Sequence, residues 1–291
     1  MSELDFLLRS WVTFFGCETP SENAEFFVFG VPYDLTSSFR AGSSQGPEAV
    51  RKFSANIEAN SYRKFFDAAK AAVYDGGDIV VDIDIQVMLK RVAQLVAYVG
   101  RLNKIPVMLG GEHTFTYAAV KTLADKISSL IVFDAHFDLR DEYLGSKFSH
   151  ACYLRRLVEE FPTLPVAVVG VRGYDLAEIL FAEQNKVKYV KASELHDFSR
   201  VLRILSDVID GGRPYVSVDI DVFDPAYAPG VGNPEPEGAD PSTVFDLLHF
   251  VGRRRPVMFD VMEVNPMFDS GVTAALAAKV VMELIASYPE R

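Results

Sequence analysis

Short runs of β-branched and aromatic residues recur along the chain, at Phe26–Val31, Ile105–Leu109, Leu130–Phe133, Val166–Val171, Tyr215–Val218 and Val257–Val261. Between them lie stretches with apolar residues at helical spacing: Ile85–Leu102, Thr116–Lys126, Ala177–Asn185, Phe198–Ile209 and Ser242–Val251. Apolar runs without polar alternation are buried on both faces, and alternation with amphipathic helices predicts a mainly parallel sheet between two helical layers. The expected fold is therefore a three-layer α/β/α sandwich. No linker or repeat interrupts the pattern, so residues 1–291 read as one domain. The loop DPAYAPGVGNPEPEGADP is rich in Pro and Gly, but it joins a strand to a helix and marks no boundary. Asp75-Gly76-Gly77-Asp78 reads as a turn feeding a strand, and Arg253-Arg254-Arg255 as a solvated face.

Composition narrows the function more than the fold. Lys and Arg total 29 against 40 Asp and Glu, a formal charge of −11, which repels nucleic acid and anionic membrane and favours cationic ligands. The two cysteines, Cys17 and Cys152, make no C-x-x-C pair, which excludes a thiolate zinc site or disulfide framework and suits the cytoplasm. The N-terminal MSELDFLLRSWVTFFG lacks the basic start of a signal peptide and reads as a capping helix or arm. VTAALAAKVVMELIASY carries Lys279 and Glu283 at amphipathic spacing, so it reads as a helix on the core rather than a membrane span.

The ends of the apolar runs carry the chemistry. Gly110-Gly111-Glu112-His113 follows one, Asp134-Ala135-His136-Phe137-Asp138 another, Asp219-Ile220-Asp221 a third, and Glu263 sits within the last. In a parallel sheet these all face the carboxyl edge, where open α/β folds bind ligands. On an extended chain Asp134, His136 and Asp138 share one face. Two imidazoles (His113, His136) and four carboxylates (Asp134, Asp138, Asp219, Asp221) form an oxygen-rich, thiolate-free set that suits Mn²⁺ or a similar divalent ion. Four close carboxylates repel unless cations intervene, and two divalent ions bring the set near neutrality. Such a pair generates hydroxide at neutral pH, so the residues indicate a binuclear hydrolase. A lone Asp-x-Asp is ordinarily a cap and a GGEH a turn; their recurrence at separate strand ends favours metal. His150 is either a surface histidine or, returning to the cleft rim, a proton shuttle. His196 and His249 read as structural.

GGEH, DAHFD, SVDIDVFDPAYAPG and EVNP, in that order and after GVPYDLTSSFRAGSSQGPEAVR, resemble the ureohydrolase family of arginase and agmatinase over nearly the whole chain. The resemblance implies two Mn²⁺ held by His113, Asp134, His136, Asp138, Asp219 and Asp221. It further implies that Glu263 pairs with the substrate guanidinium, that His150 shuttles protons, and that Asp138 hydrogen-bonds a hydroxide shared by the ions. Attack on the guanidino carbon then gives urea and an amine. A homo-oligomer, trimer or hexamer, is also implied. Two positions depart from the family pattern: Glu112 replaces a frequent Asp, and Ala151 replaces a frequent Gly.

Arginases of this pattern carry Asn where Arg140 stands, and AYAPGVGNPEPEG is more similar to agmatinases. The small cationic guanidino compound agmatine, cleaved to putrescine and urea, is thus the expected substrate, with Asp141-Glu142 near its far ammonium. Arg140 keeps open a carboxylate-bearing substrate, arginine or 4-guanidinobutyrate. A metallophosphoesterase places Asp-x-His first, and a deacetylase-like amidohydrolase holds one zinc. An inactive metal-binding scaffold would be expected to lose His150, Glu263 or some ligands, and none is lost.

Overall fold

Each apolar run becomes a strand, with helices covering both of its faces. The computed structural model describes residues 8–9, 12–67 and 70–289. In chain order the strands are β1 (Leu8–Arg9), β2 (Phe26–Val31), β3 (Asn60–Ser61), β4 (Phe66–Asp67), β5 (Val73–Ile79) and β6 (Ile105–Gly110). They continue with β7 (Leu130–Phe133), β8 (Val166–Val171), β9 (Lys188–Lys191), β10 (Tyr215–Asp219) and β11 (Met258–Met262). The helices are α1 (Gly46–Ser54), α2 (Ile85–Arg101), α3 (Phe115–Leu123), α4 (Tyr153–Glu160), α5 (Leu176–Gln184), α6 (Phe198–Ile209), α7 (Pro241–Gly252) and α8 (Val272–Ser287).

Among the described residues, nine strands form one sheet in the order β1-β5-β2-β6-β11-β10-β7-β8-β9, with β3 and β4 paired separately. Neighbours in the sheet are parallel except β1 on β5. Alternate strand residues divide between two cores: Phe26, Val28, Ile131 and Phe133 pack with α1, α6, α7 and α8, whereas Phe27, Phe29, Leu130 and Val132 pack with α2 to α5. This is the expected three-layer arrangement. The chain steps outward through β7, β8 and β9, then returns to insert β10 and β11 between β7 and β6. That return makes β6, β11, β10 and β7 neighbours, so the segments leaving their carboxyl ends meet over one spot.

Several expectations need correction. Asp75–Asp78 is no turn but lies inside β5, where Gly77 at φ 82° and a shift of register against β2 mark a bulge. Glu263 lies one residue beyond β11 rather than within it, at φ 64°. Helix α8 is buried on nearly every side rather than amphipathic: Glu283 accepts from Ser61 Oγ at 2.7 Å and pairs with His249, and Lys279 Nζ donates to Glu58 O at 2.6 Å. Of the N-terminal arm, residues 1–7, 10 and 11 lie outside the described residues, β1 is an edge strand, and Phe14–Gly16 is a 3₁₀ turn. Arg253 and Arg254 are exposed, but Arg255 pairs with Glu25 at 2.6 Å. Among the described residues no helix is long and apolar enough to cross a membrane.

The bulge has a structural role. Asp75 receives Arg51 of α1 in a fork, Nε to Oδ2 at 2.8 Å and Nη2 to Oδ1 at 3.0 Å, and also accepts from Phe14 N at 2.7 Å. Both side chains are almost fully enclosed, at 4% and 0% exposure. Asp75→Ala strands a buried guanidinium with Asp78 alone, so unfolding measured in urea should show a loss of about 3–5 kcal/mol; a loss below about 1 kcal/mol would contradict this reading.

Candidate metal centre

The loop after β6 is built to deliver His113. Gly111 must be glycine, because a Cβ there would lie 2.0 Å from Tyr33 O. The chain then turns into α3, and His113 N donates to Glu263 Oε1 at 2.8 Å, tying this loop to the one after β11. The ring is fully buried, and its Nε2 lies 2.8 Å from Ser217 Oγ. Ser217 donates its one proton to Asp260, which also accepts from Tyr215 OH and from Thr116 Oγ1 at 2.9 Å. Ser217 can therefore only accept from His113, which keeps a proton on Nε2 and turns Nδ1 toward the site.

Nδ1 of His113 meets three carboxylates: Asp219 Oδ2 at 3.1 Å, Asp134 Oδ2 at 3.2 Å and Asp138 Oδ2 at 3.6 Å. Nδ1 of His136 lies 2.9 Å from Asp221 Oδ2 and 3.6 Å from Asp134 Oδ1. Two donor groups result, His113/Asp134/Asp219 and Asp134/His136/Asp221, each with ligand atoms within 4.8 Å of one another and with Asp134 common to both. All six expected positions are thus brought together.

The sharing of one strand face is not what aligns Asp134, His136 and Asp138. Strand β7 ends at Phe133, and the chain leaves the sheet before turning Asp138 inward at φ 52°. Such left-handed conformations are uncommon outside glycine, and Asp tolerates them better than most. The His136 ring fits because residue 173 is glycine, where a Cβ would come within 2.6 Å of Cδ2.

Electrostatics show what this arrangement favours. Burial and the charge of Asp134 push the Asp138 carboxyl well above the usual range, and burial with Asp221 and Asp134 does the same to Asp219. For His113 and His136 burial opposes protonation, but the surrounding carboxylates win and raise both. For Asp134 burial is likewise outweighed, by the two imidazoles, which lower its carboxyl to about 2. Asp134 Oδ2 is buried without a hydrogen-bond donor among the described residues. Excess negative charge, an orphaned oxygen and two imidazole nitrogens turned inward make a donor set that fits two divalent cations.

Glu263 and His150 face the same small chamber of about 30 Å³, with Ser38 and Asn233 also in its wall. Burial and the neighbouring Glu112 raise the Glu263 carboxyl to about 8. His150 also borders an adjoining outer cleft of about 290 Å³, lined by Arg140, Tyr143, Tyr174, Glu178 and Glu235. Ala151 keeps an ordinary backbone and carries Arg140 N on its carbonyl at 3.1 Å, so no glycine is needed there. His196 and His249 lie elsewhere, as expected: His196 caps Ser193 O and His249 pairs with Glu283.

Three contributions escaped the sequence reading. Ser217 and Asp260 orient His113, and the signal was a polar residue in the middle of each of two apolar strands. Glu112 accepts from Thr36 N at 2.8 Å, Thr36 Oγ1 at 2.9 Å and Thr114 Oγ1 at 2.6 Å. Glu235, with Oε1 3.8 Å from His136 Nε2, brings an acid to the cleft beside Glu178. The expected pair Asp141-Glu142 does not: Asp141 binds Arg156 at 2.7 Å, and neither residue lines the chamber or the cleft.

A sequence model of the arginase family matches residues 24–286. The agmatinase of Pyrococcus horikoshii is 35% identical over 277 residues, spanning 93% of this chain and 95% of that protein. Among solved structures, the agmatine ureohydrolase of Thermoplasma volcanium superposes with a TM-score of 0.88 at 33% identity, covering 96% of this chain and 94% of the other. The proclavaminate amidino hydrolase of Streptomyces clavuligerus superposes with a TM-score of 0.87 at 30% identity, covering 97% and 98%.

Proposed function

Because the chain belongs to the arginase family, the ureohydrolases, we propose that it hydrolyses agmatine to putrescine and urea with two Mn²⁺ bound per chain. The observation that carries this reading is the Asp134 shared by two His/Asp groups whose His113, His136, Asp219 and Asp221 line one chamber with Glu263. His113, Asp134, Asp219 and Asp138 would hold one ion, and Asp134, His136 and Asp221 the other. Bound there, two divalent cations supply the Lewis acidity that makes hydroxide available at neutral pH.

The chain's own groups do the rest. Glu263 has Oε1 anchored by His113 N, which leaves Oε2 to accept guanidinium N–H groups and hold the carbon in place. Asp138 accepts a hydrogen bond from the attacking water and orients it. His150 is pushed down to about 4 by burial and by the charges of His136 and His113, so it is neutral at pH 7. It can take a proton released during attack and pass it to the departing amine.

The outer cleft supports the choice of agmatine. Arg140 is already committed to Asp175 at 2.9 Å, with Glu178 4.0 Å away, and its guanidinium lies over the Tyr143 ring at 5.2 Å. Compensated in this way, it is a poor carboxylate receptor. Glu235 adds a negative charge that suits the far ammonium of a dication. The similar agmatinase and agmatine ureohydrolase agree with this, and the proclavaminate enzyme marks the carboxylate-bearing alternative. The test is kcat/KM for agmatine, arginine and 4-guanidinobutyrate with Mn²⁺ present. Agmatine should exceed each of the others by about 5-fold, the upper worth of one partly exposed ion pair. A preference for 4-guanidinobutyrate would overturn the assignment and return Arg140 to a binding role.

A further inference from the structure

The wall histidine is held by one hydroxyl. Thr36 Oγ1 donates to Glu112 Oε1 at 2.9 Å, accepts His150 N–H at 3.3 Å and lies 3.3 Å from His150 Nδ1. A hydroxyl has one proton and two lone pairs. With the proton given to a carboxylate that accepts three donors in all, both lone pairs are left for His150. Nδ1 must then be the protonated ring nitrogen. The other nitrogen, Nε2, stands 3.5 Å from Ser38 Oγ, which already accepts from Asn233 Nδ2 at 3.3 Å and so keeps its own proton free to donate. This assignment gives Thr36 Oγ1 and both ring nitrogens of His150 a complementary partner, and the reverse tautomer would leave Nδ1 facing a hydroxyl with no proton to give.

We propose that Glu112 and Thr36 are positioning residues that fix His150 as the Nδ1–H tautomer, so that Nε2 is the atom that takes up and delivers the proton. The inference rests on the reading that His150 moves protons in this reaction. It also gives the departure at residue 112 a reason: a glutamate spans from the loop after β6 to Thr36, and an aspartate would be one methylene shorter.

Neutron diffraction from crystals of the full, manganese-loaded chain in D₂O reads the tautomer without reference to activity. Deuterium on Nδ1 of His150 and on Thr36 Oγ1, directed at Glu112, is expected; deuterium on Nε2 alone would overturn the proposal. In solution, Thr36→Val should lower kcat by about 10–100-fold, as loss of an orienting partner does. KM should stay within about 3-fold and manganese content at two per chain, and Thr36→Ser should restore kcat. Glu112→Gln should lower kcat in the same way, since an amide cannot accept all three donors. Full activity in Thr36→Val or Glu112→Gln, or equal loss in Thr36→Ser, would overturn it. If Nδ1 carries deuterium while no guanidino compound is hydrolysed, the tautomer stands and the proposed function fails.

Discussion

Asp138→Asn should lower kcat for urea release by about 10²–10³-fold, the effect of losing one preorganised hydrogen-bond partner at a reacting group. The substitution is nearly isosteric, and asparagine tolerates the left-handed backbone at φ 52° as well as aspartate does. Loss of activity is therefore chemical rather than a failure to fold. The uncharged asparagine oxygen is a weaker hydrogen-bond acceptor for the attacking water, and the substitution takes one negative charge from the group around His113 Nδ1, so manganese should bind more weakly there. A second readout separates the two effects of that charge. Burial and Asp134 hold the Asp138 carboxyl well above its usual range, so ionising it at neutral pH costs the metal-free fold stability. With the folded value raised above the unfolded one, that cost grows as pH rises from the unfolded value toward the folded one. Chelated Asp138→Asn should consequently melt at or above the temperature of the chelated native chain at pH 7, while gaining less from added Mn²⁺. Undiminished turnover would remove Asp138 from the reaction.

Glu263→Gln should lower kcat/KM by about 10²–10³-fold, corresponding to loss of one member of a buried ion pair. Glutamine can still accept His113 N–H, so the tie between the loops after β6 and β11 survives. What it cannot do is balance a guanidinium in a buried chamber. If the pair acts equally in bound substrate and transition state, the loss falls mainly on KM; a loss confined to kcat would place the interaction in the transition state alone. Steady-state kinetics at saturating Mn²⁺ distinguish these outcomes, and native kcat/KM would refute the role.

Much of the site was legible because its ligands are tied to strand ends. β7 and α6 appear with the bounds that their apolar patterns predict, and strand identity places His113, Asp134, Asp219 and Asp221 at one edge. Local pattern fails where tertiary contacts decide conformation. Asp75-Gly76-Gly77-Asp78 has turn composition, but Arg51 from α1 neutralises its acids inside the sheet. Asp138 and Glu263 reach the chamber through positive φ at non-glycine residues, which no spacing rule foretells. β9, KYVK, is an edge strand with little apolar content, and α1 opens on Gly46-Pro47, a pair that reads as a turn. Charge proximity in sequence also misled: Asp141 is close to the ligands along the chain but is bound by Arg156, whereas Glu235 arrives from a loop nearly a hundred residues later.

Two cations held around Asp134 should both be required for guanidino hydrolysis. The most direct test is urea release from agmatine measured against manganese bound per chain. Activity should remain low through the first equivalent and plateau at two ions per chain. Full activity with one ion bound, or no urea at any loading, would contradict the account.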